Sequence, residues 1–487
     1  MAFNKRTSDL MDRAKEAAER ILEAANNGLG FLVISHRDAD GISAAGIAGA
    51  FLSRLDAAFR IRIERWLDEK VLQQISLEKD SIIIMCDMGG GNLGLIKEKA
   101  EAKNIIIFDH HQPEDGRDDE SILHINPTLC GIDGGKELSG AGTVYLASKA
   151  ISENNVDLAH LAVIGALGDM QDKYEERRLG GVNEIIVEDA VKAGYLEEET
   201  DLLLFGRETR PIYKALALTT NPYIPGISGQ EDRSIAFLTK LGIPLKRDEK
   251  WLALRDLSHE EKQRIFSGLC EYLLSKGYRS ESATSLIGTA YVLKREEPWT
   301  PLRDAREYSM LLNAVGRTGK AGIGIAICLG DRSAALAEAN VALEEYRQLI
   351  SEHLKLLETN KERIEEMDSI YVIHGGQNIN ESLVSTISSI LATNLPKSEK
   401  PLIAYSIVPE ENIAKFSART NEKMTEKGFN IGEIMRISAE KFSGIGGGHN
   451  IAAGAQVPIE HIKSFIAYVN DLVRASLMSL SESGSQN

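Results

Sequence analysis

Cysteine is scarce in this chain: Cys86, Cys130, Cys270 and Cys328 are the only four in 487 residues, and no two form a CxxC pair. That scatter argues against a disulfide framework or a thiolate zinc site and fits a reducing, cytoplasmic setting. Long apolar runs are missing too. With no stretch of about 18 apolar residues, no membrane span is expected, and MAFNKRTSDL at the N-terminus lacks the apolar core of a secretory signal. Positive charge is in deficit, with 56 Lys and Arg against 72 Asp and Glu and a net charge of −16. A generic nucleic-acid coat, which grips phosphates with Lys and Arg, is therefore disfavoured. An enzyme whose acidic residues hold metal and whose basic residues are local is not. Hydrophobic content of 43% and charged content of 26% are ordinary for a globular protein, and the length suggests two to four domains.

What is present centres on Phe31 to Gly41, FLVISHRDADG. Phe31 to Ser35 read as a buried strand that runs into His36, Asp38 and Asp40 before an Ala- and Gly-rich helix over 42–52. Ser81 to Cys86 is a second buried strand, ending in Asp87, and Asn104 to Phe108 a third, ending in Asp109, His110 and His111. Phe59, Ile61 and Ile63 alternate with charged residues, as on a half-exposed edge strand. A helix over 8–26, one over 92–102 and one opened by Ser139 complete a strand–helix alternation that signals a parallel sheet. Leu158 to Leu167 is apolar almost throughout and ends in Gly168 and Asp169. Three strands thus deliver Asp or His at one end, where open α/β sheets bind their ligands. A helix cap at Asp40 is the competing reading of the first motif alone.

The texture changes beyond residue 190. Pro211, Pro222, Pro225 and Pro244 interrupt it, Ser258 to Glu261 forms a capping box, and Gly277 closes the helix that follows. Residues 191–332 are expected to form a separate, mainly helical middle domain. Within it, GRTGKAGIG carries Arg317 and Lys320 but lacks P-loop spacing, and reads as a packed turn. Residues 333–367 contain no Gly or Pro and predict a connector helix of roughly 50 Å at about 1.5 Å per residue. A last α/β domain over 368–477 has strands at 370–374 and 402–408, the run Gly446-Gly447-Gly448-His449 and a final helix from about 459 to 477. Residues 478–487 are expected to be a disordered tail.

Oxygen ligands with a few imidazoles and no thiolate favour Mn²⁺ or Mg²⁺. Carboxylates this numerous suit two ions, and phosphoester hydrolysis is the reaction that best uses such a pair.

DADG, a strand-ending Asp, DHH, a later Asp and GGGH together resemble the DHH phosphoesterase superfamily. The chain is most similar there to RecJ-like single-strand nucleases of the archaeal branch, and Pro301 to Asp331 is a stretch associated with that branch. The resemblance implies one ion held by His36, Asp38 and Asp87, and a second by Asp40, Asp87, His110 and Asp169, with Asp87 bridging. It implies that His111 faces the scissile phosphate and that Asp109 orients the neighbouring His residues. In the C-terminal domain, Ser417, Arg419, Gly446, Gly447, Gly448 and His449 would bind the nucleic-acid backbone.

The resemblance thus implies a Mn²⁺-dependent, Mg²⁺-tolerant exonuclease on single-stranded DNA or RNA, in replication or repair, working in a cleft between the two α/β bodies. It departs from the bacterial proteins in the shorter motif HRDADG and in stopping after GGGH, without an OB-fold. Residues 369–472 hold 9 Lys and Arg against 10 Asp and Glu, so this body can meet a polyanion although the whole chain is acidic. The middle domain resembles the segment by which archaeal relatives meet the GINS complex. Two other readings are a phosphodiesterase for short oligoribonucleotides or cyclic dinucleotides, a class that generally lacks the middle segment, and a replisome scaffold like the eukaryotic cell-division-cycle relative. The complete ligand set argues against pure scaffolding.

Overall fold

In the computed structural model, residues 5–76, 81–100, 104–114, 122–219, 224–276, 286–392 and 400–484 are described. The chain divides into two units, Met1–Leu343 and Glu344–Asn487. The first is built on a five-stranded parallel sheet of β1 (Gly30–His36), β2 (Phe59–Glu64), β3 (Ser81–Cys86), β4 (Ile105–Phe108) and β5 (Ile122–Ile125), in the order β2-β1-β3-β4-β5. The near-continuous Val, Ile, Leu and Phe of β1, β3 and β4 are what burial on both faces of a parallel sheet requires. Half-buried β2 alternates because it is the edge. On one face Ile34, Ile83, Met85 and Ile107 pack under Leu72 of α3 (Glu69–Ser76) and Ile96 of α4 (Leu93–Lys99). Helices α1 (Lys5–Asn26), α2 (Ala39–Arg54), α5 (Gly140–Ile151), α6 (Ala159–Gly168) and α7 (Val182–Lys192) complete this layered body. The strand order reverses between β1 and β3, and ligands of such sheets bind outside the carboxyl ends of the strands at that point.

The middle region falls within the first unit. Helices α8 (Ile212–Leu218), α9 (Glu231–Lys240) and α10 (His259–Ser275), with a small hairpin of β7 (Lys246–Arg247) and β8 (Lys250–Trp251), share an apolar cluster that includes Leu216, Leu238, Leu254 and Leu269. It is tied back by β6 (Leu196–Leu202), which pairs antiparallel with β9 (Ile287–Leu293) across about ninety residues of chain. The helices α11 (Ala305–Arg317) and α12 (Ala321–Cys328) then return to α2: Asn313 Oδ1 accepts from Ala39 N at 3.0 Å. Residues 191–332 therefore fall inside the first unit, joined to it by long-range strand pairing and by these returning helices. Ser258 forms the expected capping box; Gly277 and Pro222 lie outside the described residues.

The connector is shorter than expected. Helix α13 spans Ala334–Thr359, about 39 Å at about 1.5 Å per residue, and contains the boundary between the units. Residues 364–366, absorbed into the expected helix, form β10 (Ile364–Glu366), which pairs with β11 (Tyr371–His374). The second unit is a six-stranded mixed sheet, adding β12 (Leu402–Val408), β13 (Ile413–Arg419), β14 (Ile445–Gly448) and β15 (Ala452–Pro458) in the order β10-β11-β12-β13-β15-β14. Its helices are α14 (Val384–Ala392), α15 (Glu422–Glu426), α16 (Ile431–Lys441) and α17 (Ile462–Gly484). Phe416, Met435 and Phe465 lie in its own core. The last helix runs seven residues past the expected end at 477, its Leu477 and Leu480 packed against that core. Among the described residues no helix is long and apolar enough to cross a membrane.

Candidate metal centre

Each of the four chain segments that end in Asp or His brings its polar group to the same place. Asp38, not Asp40, caps α2, accepting from Gly41 N at 3.0 Å. Asp40 sits within the first turn, fully buried, and its carboxylate is received by the start of α5: Gly140 N donates to Oδ2 at 2.6 Å and Ala141 N to Oδ1 at 3.0 Å. The N-terminal end of a helix is a natural seat for a carboxylate. Glycine is needed at 140 and 165 because a Cβ there would lie 2.9 and 2.3 Å from Asp40's oxygens. Asp87 follows β3 in the left-handed region, at φ 57°. Asp169 caps the C-terminal end of α6.

These groups form two donor sets whose ligand atoms lie within 4.8 Å of one another, His36, Asp38 and Asp87 in one and Asp40, Asp87, His110 and Asp169 in the other. In the first, His36 Nδ1 is 3.0 Å from Asp38 Oδ2 and 3.4 Å from Asp87 Oδ2. In the second, His110 Nε2 is 3.1 Å from Asp169 Oδ2, 3.2 Å from Asp87 Oδ1 and 3.7 Å from Asp40 Oδ2. Asp87 belongs to both. A third grouping adds Asp109 to Asp87, His110 and His111, but Asp109 is already engaged. Its Oδ2 accepts from Gly90 N at 2.7 Å, and its Oδ1 accepts from His110 N at 2.7 Å and faces His111 Nδ1 at 2.8 Å. It orients the His111 ring, whereas the His110 ring is set from elsewhere, Nδ1 lying 2.6 Å from the Gly134 carbonyl.

The electrostatics call for a cation. Burial, and then Asp87 and Asp169, raise the pKa of Asp40; burial, and then Asp38, raise that of Asp87. Burial alone would lower His36, yet Asp38 and Asp87 push it up to about 10. Burial would likewise lower His110, but Asp169 and Asp87 raise it. Asp87 Oδ2 is buried without a hydrogen bond. Carboxylates crowded and dehydrated in this way repel one another unless a positive charge sits among them. Oxygen and imidazole donors without thiolate fit a hard divalent cation.

Several contributors to this centre were not anticipated. Arg317, which reads as part of a packed turn, is instead the last residue of α11, and its charge helps to lower Asp38 against burial, after the larger effect of His36. Gly316 abuts the Arg37 carbonyl so closely that a Cβ would fall 1.7 Å from it. Nothing local in NAVGRTG signals a contact with HRDADG, which lies more than 270 residues earlier. A cavity of about 820 Å³ lies elsewhere, at the far end of α2; its Arg54 and Arg332 are already paired with Asp157 and Glu296.

The remaining candidates lie in the second unit. Ser417 is buried on β13 with its Oγ 2.8 Å from Ser388 Oγ, and Arg419 Nε donates to Ser389 Oγ at 2.8 Å. Gly446 to Gly448 lie on β14, paired with Ala455, Gly454 and Ala453 of β15, and His449 begins the turn between those strands, its N–H bonded to Ala452 O. The glycines have a packing reason as well: a Cβ at 446 would lie 2.6 Å from Met435 O, and one at 448 would lie 2.6 Å from Ala452 O.

Comparison with known proteins agrees with this layout. The model of the DHH family N-terminal domain matches residues 30–166, the DHH-CID domain 204–287 and the DHHA1 domain 369–475. The chain belongs to the DHH superfamily of phosphoesterases. Within it, it is a RecJ-like member. An uncharacterized protein of Methanocaldococcus jannaschii is 31% identical over 478 residues, covering 96% of this chain and 100% of that protein. The single-stranded-DNA-specific exonuclease RecJ of Bacillus subtilis is 30% identical over 181 residues, 35% of this chain and 22% of that protein. Among solved structures, RecJ of Thermus thermophilus in complex with Mn²⁺ superposes with a TM-score of 0.55 at 19% identity, over 95% of this chain and 55% of that one. CDC45 of Entamoeba histolytica gives 0.62 at 13% identity, over 95% and 99%. This chain therefore spans little more than half of the Thermus RecJ and about a fifth of the Bacillus one.

Proposed function

We propose that the protein is a metal-dependent exonuclease that hydrolyses phosphodiester bonds of single-stranded DNA or RNA, with two Mn²⁺ ions or, alternatively, Mg²⁺. The observation that carries this reading is the pair of donor sets joined at Asp87. His36, Asp38 and Asp87 would hold one ion, and Asp40, Asp87, His110 and Asp169 the other. Such a pair, when bound, activates water and neutralises the charge that develops on the phosphoryl oxygens. The protein's own part is to fix the donors: α5 seats Asp40, Asp109 sets the plane of His111, and His111 faces the scissile phosphate. Ser417, Arg419, the glycine run and His449 would hold the strand, the guanidinium by charge-assisted hydrogen bonds to phosphate.

The Bacillus relative's name supports the single-strand assignment, and the intact ligand set disfavours a pure scaffold. A cytoplasmic role in replication or repair belongs to the same proposal. So does a replisome partner, such as the GINS complex, on the DHH-CID region, which supplies no member of the donor sets. The test is release of mononucleotides from long and short single strands, with Mn²⁺ and after chelation. Metal-dependent processive shortening of long strands is expected. Turnover confined to dinucleotides or cyclic dinucleotides would replace this reading with that of a small phosphodiesterase, and no metal-dependent turnover at all would favour the scaffold.

A further inference from the structure

The metal ligand His110 is aimed by a short buried relay that no sequence motif marks. Its Nδ1 lies 2.6 Å from the Gly134 carbonyl oxygen. A carbonyl can only accept, so Nδ1 carries the proton and Nε2 is the atom turned toward Asp87 and Asp169. The same carbonyl accepts a second hydrogen bond, from Gln171 Nε2 at 2.9 Å. Gln171 is fully buried, and its own Oε1 accepts from Asn183 Nδ2 at 2.7 Å. The Gly134 carbonyl settles which end of the Gln171 amide it meets: a carbonyl can only accept, so the NH₂ group points at it and Oε1 is left to accept from Asn183.

Gly134 is bound tightly to His110 in the main chain as well, since a Cβ at 134 would lie 1.9 Å from the His110 carbonyl oxygen. Next to it, Lys173 Nζ donates to the Gly135 carbonyl at 2.9 Å. Residues 171 and 173 therefore clamp two successive carbonyls from the segment that also supplies Asp169. The path closes on itself: Asp169 meets His110 Nε2 at 3.1 Å, His110 Nδ1 meets Gly134, and Gly134 meets Gln171, two residues from Asp169.

We infer that Gln171, held by Asn183, is a positioning residue for the metal centre: it fixes the Gly134 carbonyl, which fixes the tautomer and direction of His110. This rests on the assignment of His110 as a metal ligand in the proposed function. Groups that orient a ligating histidine generally contribute 10- to 100-fold to metal affinity. Gln171→Leu keeps the volume and removes the donor. Gln171→Glu keeps an acceptor for Asn183 but turns a carboxylate oxygen toward the Gly134 carbonyl.

The test is Mn²⁺ titration by calorimetry on the full chain, with the thermal midpoint of the metal-free protein recorded alongside. Both substitutions are expected to weaken Mn²⁺ binding by about 10- to 100-fold, and Asn183→Ala by less. Hydrolysis of bis(p-nitrophenyl) phosphate by Q171L should need more Mn²⁺ for half-maximal rate while recovering near-normal turnover at saturation. A merely structural residue would not give that recovery. If the unsubstituted chain binds Mn²⁺ and Q171L binds it within two-fold, the inference is overturned while the metal reading stands. If the unsubstituted chain binds none, the metal reading falls, and the inference with it. Should Q171L not fold, N183A decides, and Mn²⁺ affinity within two-fold of the unsubstituted chain overturns the inference.

Discussion

At the scale of single residues, Asp87 carries the most weight, because it is the only donor common to both sets. Its backbone sits at φ 57°, a conformation Asn tolerates far better than Ala, so Asp87→Asn tests its charge without adding backbone strain. The expected result is loss of Mn²⁺ binding and of hydrolysis by three orders of magnitude or more, on the order of 4 kcal/mol. The metal-free fold should survive, since the substitution removes a buried charge that Asp38 repels. Near-normal turnover in D87N would sink the shared-ligand arrangement. His449 makes a different case. It lies in the second unit, and its proposed role is to hold the strand, so His449→Ala should weaken oligonucleotide binding by about 5- to 150-fold, or about 1–3 kcal/mol. Hydrolysis of bis(p-nitrophenyl) phosphate should stay nearly intact. Equal losses on both substrates would instead make His449 part of the catalytic machinery.

At the scale of elements, the parallel strands and their polar ends were legible because both signals are local. A run such as SIIIMC fits a strand buried on both faces, and Asp87 comes directly after it. What stayed hidden were associations between distant segments: the β6–β9 pair, the return of α11 to the HRDADG loop, and the relay through Gln171. No periodicity encodes which remote carbonyl a glycine must clear. The connector helix was overestimated for a related reason, since residues 364–366 contain no Gly or Pro yet pair with β11. Gly316→Ala tests the α11 contact. A methyl group 1.7 Å from the Arg37 carbonyl must displace the loop or the helix, and Mn²⁺ affinity should fall by at least about 10-fold. Unchanged affinity would mean that the loop does not depend on this contact.

The start of α11 also carries a pH signature. Glu307 is buried and receives Glu208 N at 2.7 Å and Thr209 Oγ1 at 2.5 Å. Burial, and then Asp304, push its pKa from 4.5 up to about 8. Between those values the unfolded chain has released a proton that the folded chain keeps, so stability falls as pH rises through that window. Glu307→Gln can keep both hydrogen bonds, its amide donating to the Thr209 hydroxyl, without the titration. Its melting temperature relative to the unsubstituted chain should therefore rise by a few degrees between pH 5 and pH 8 (about 1 °C per kcal/mol at this size). A difference that does not change with pH would show that Glu307 does not titrate in this range.

For the whole molecule, the proposed division of labour follows the two units. Every member of the two donor sets lies between His36 and Asp169, in the first unit, and the proposed strand-binding residues lie between Ser417 and His449, in the second. Each unit has its own apolar core: Ile34, Ile83 and Ile107 are buried in the first, and Phe416, Met435 and Phe465 in the second. The DHHA1 match, 369–475, falls wholly inside the second unit. A fragment of residues 1–343 should therefore fold, bind Mn²⁺ and hydrolyse bis(p-nitrophenyl) phosphate within a few-fold of the full chain. On long single strands it should lose more than His449→Ala does, because several phosphate contacts go at once; two such contacts at about 1–3 kcal/mol each give a loss of roughly 30-fold or more. A fragment of residues 360–487 should bind single strands weakly and hydrolyse nothing, and its binding should fall steeply with salt, as phosphate contacts do. Oligonucleotide titrations at two salt concentrations, beside ester hydrolysis by each fragment, measure both halves. If fragment 1–343 shortens long strands as well as the full chain does, strand holding lies in the first unit and the proposed role of Ser417, Arg419 and His449 falls.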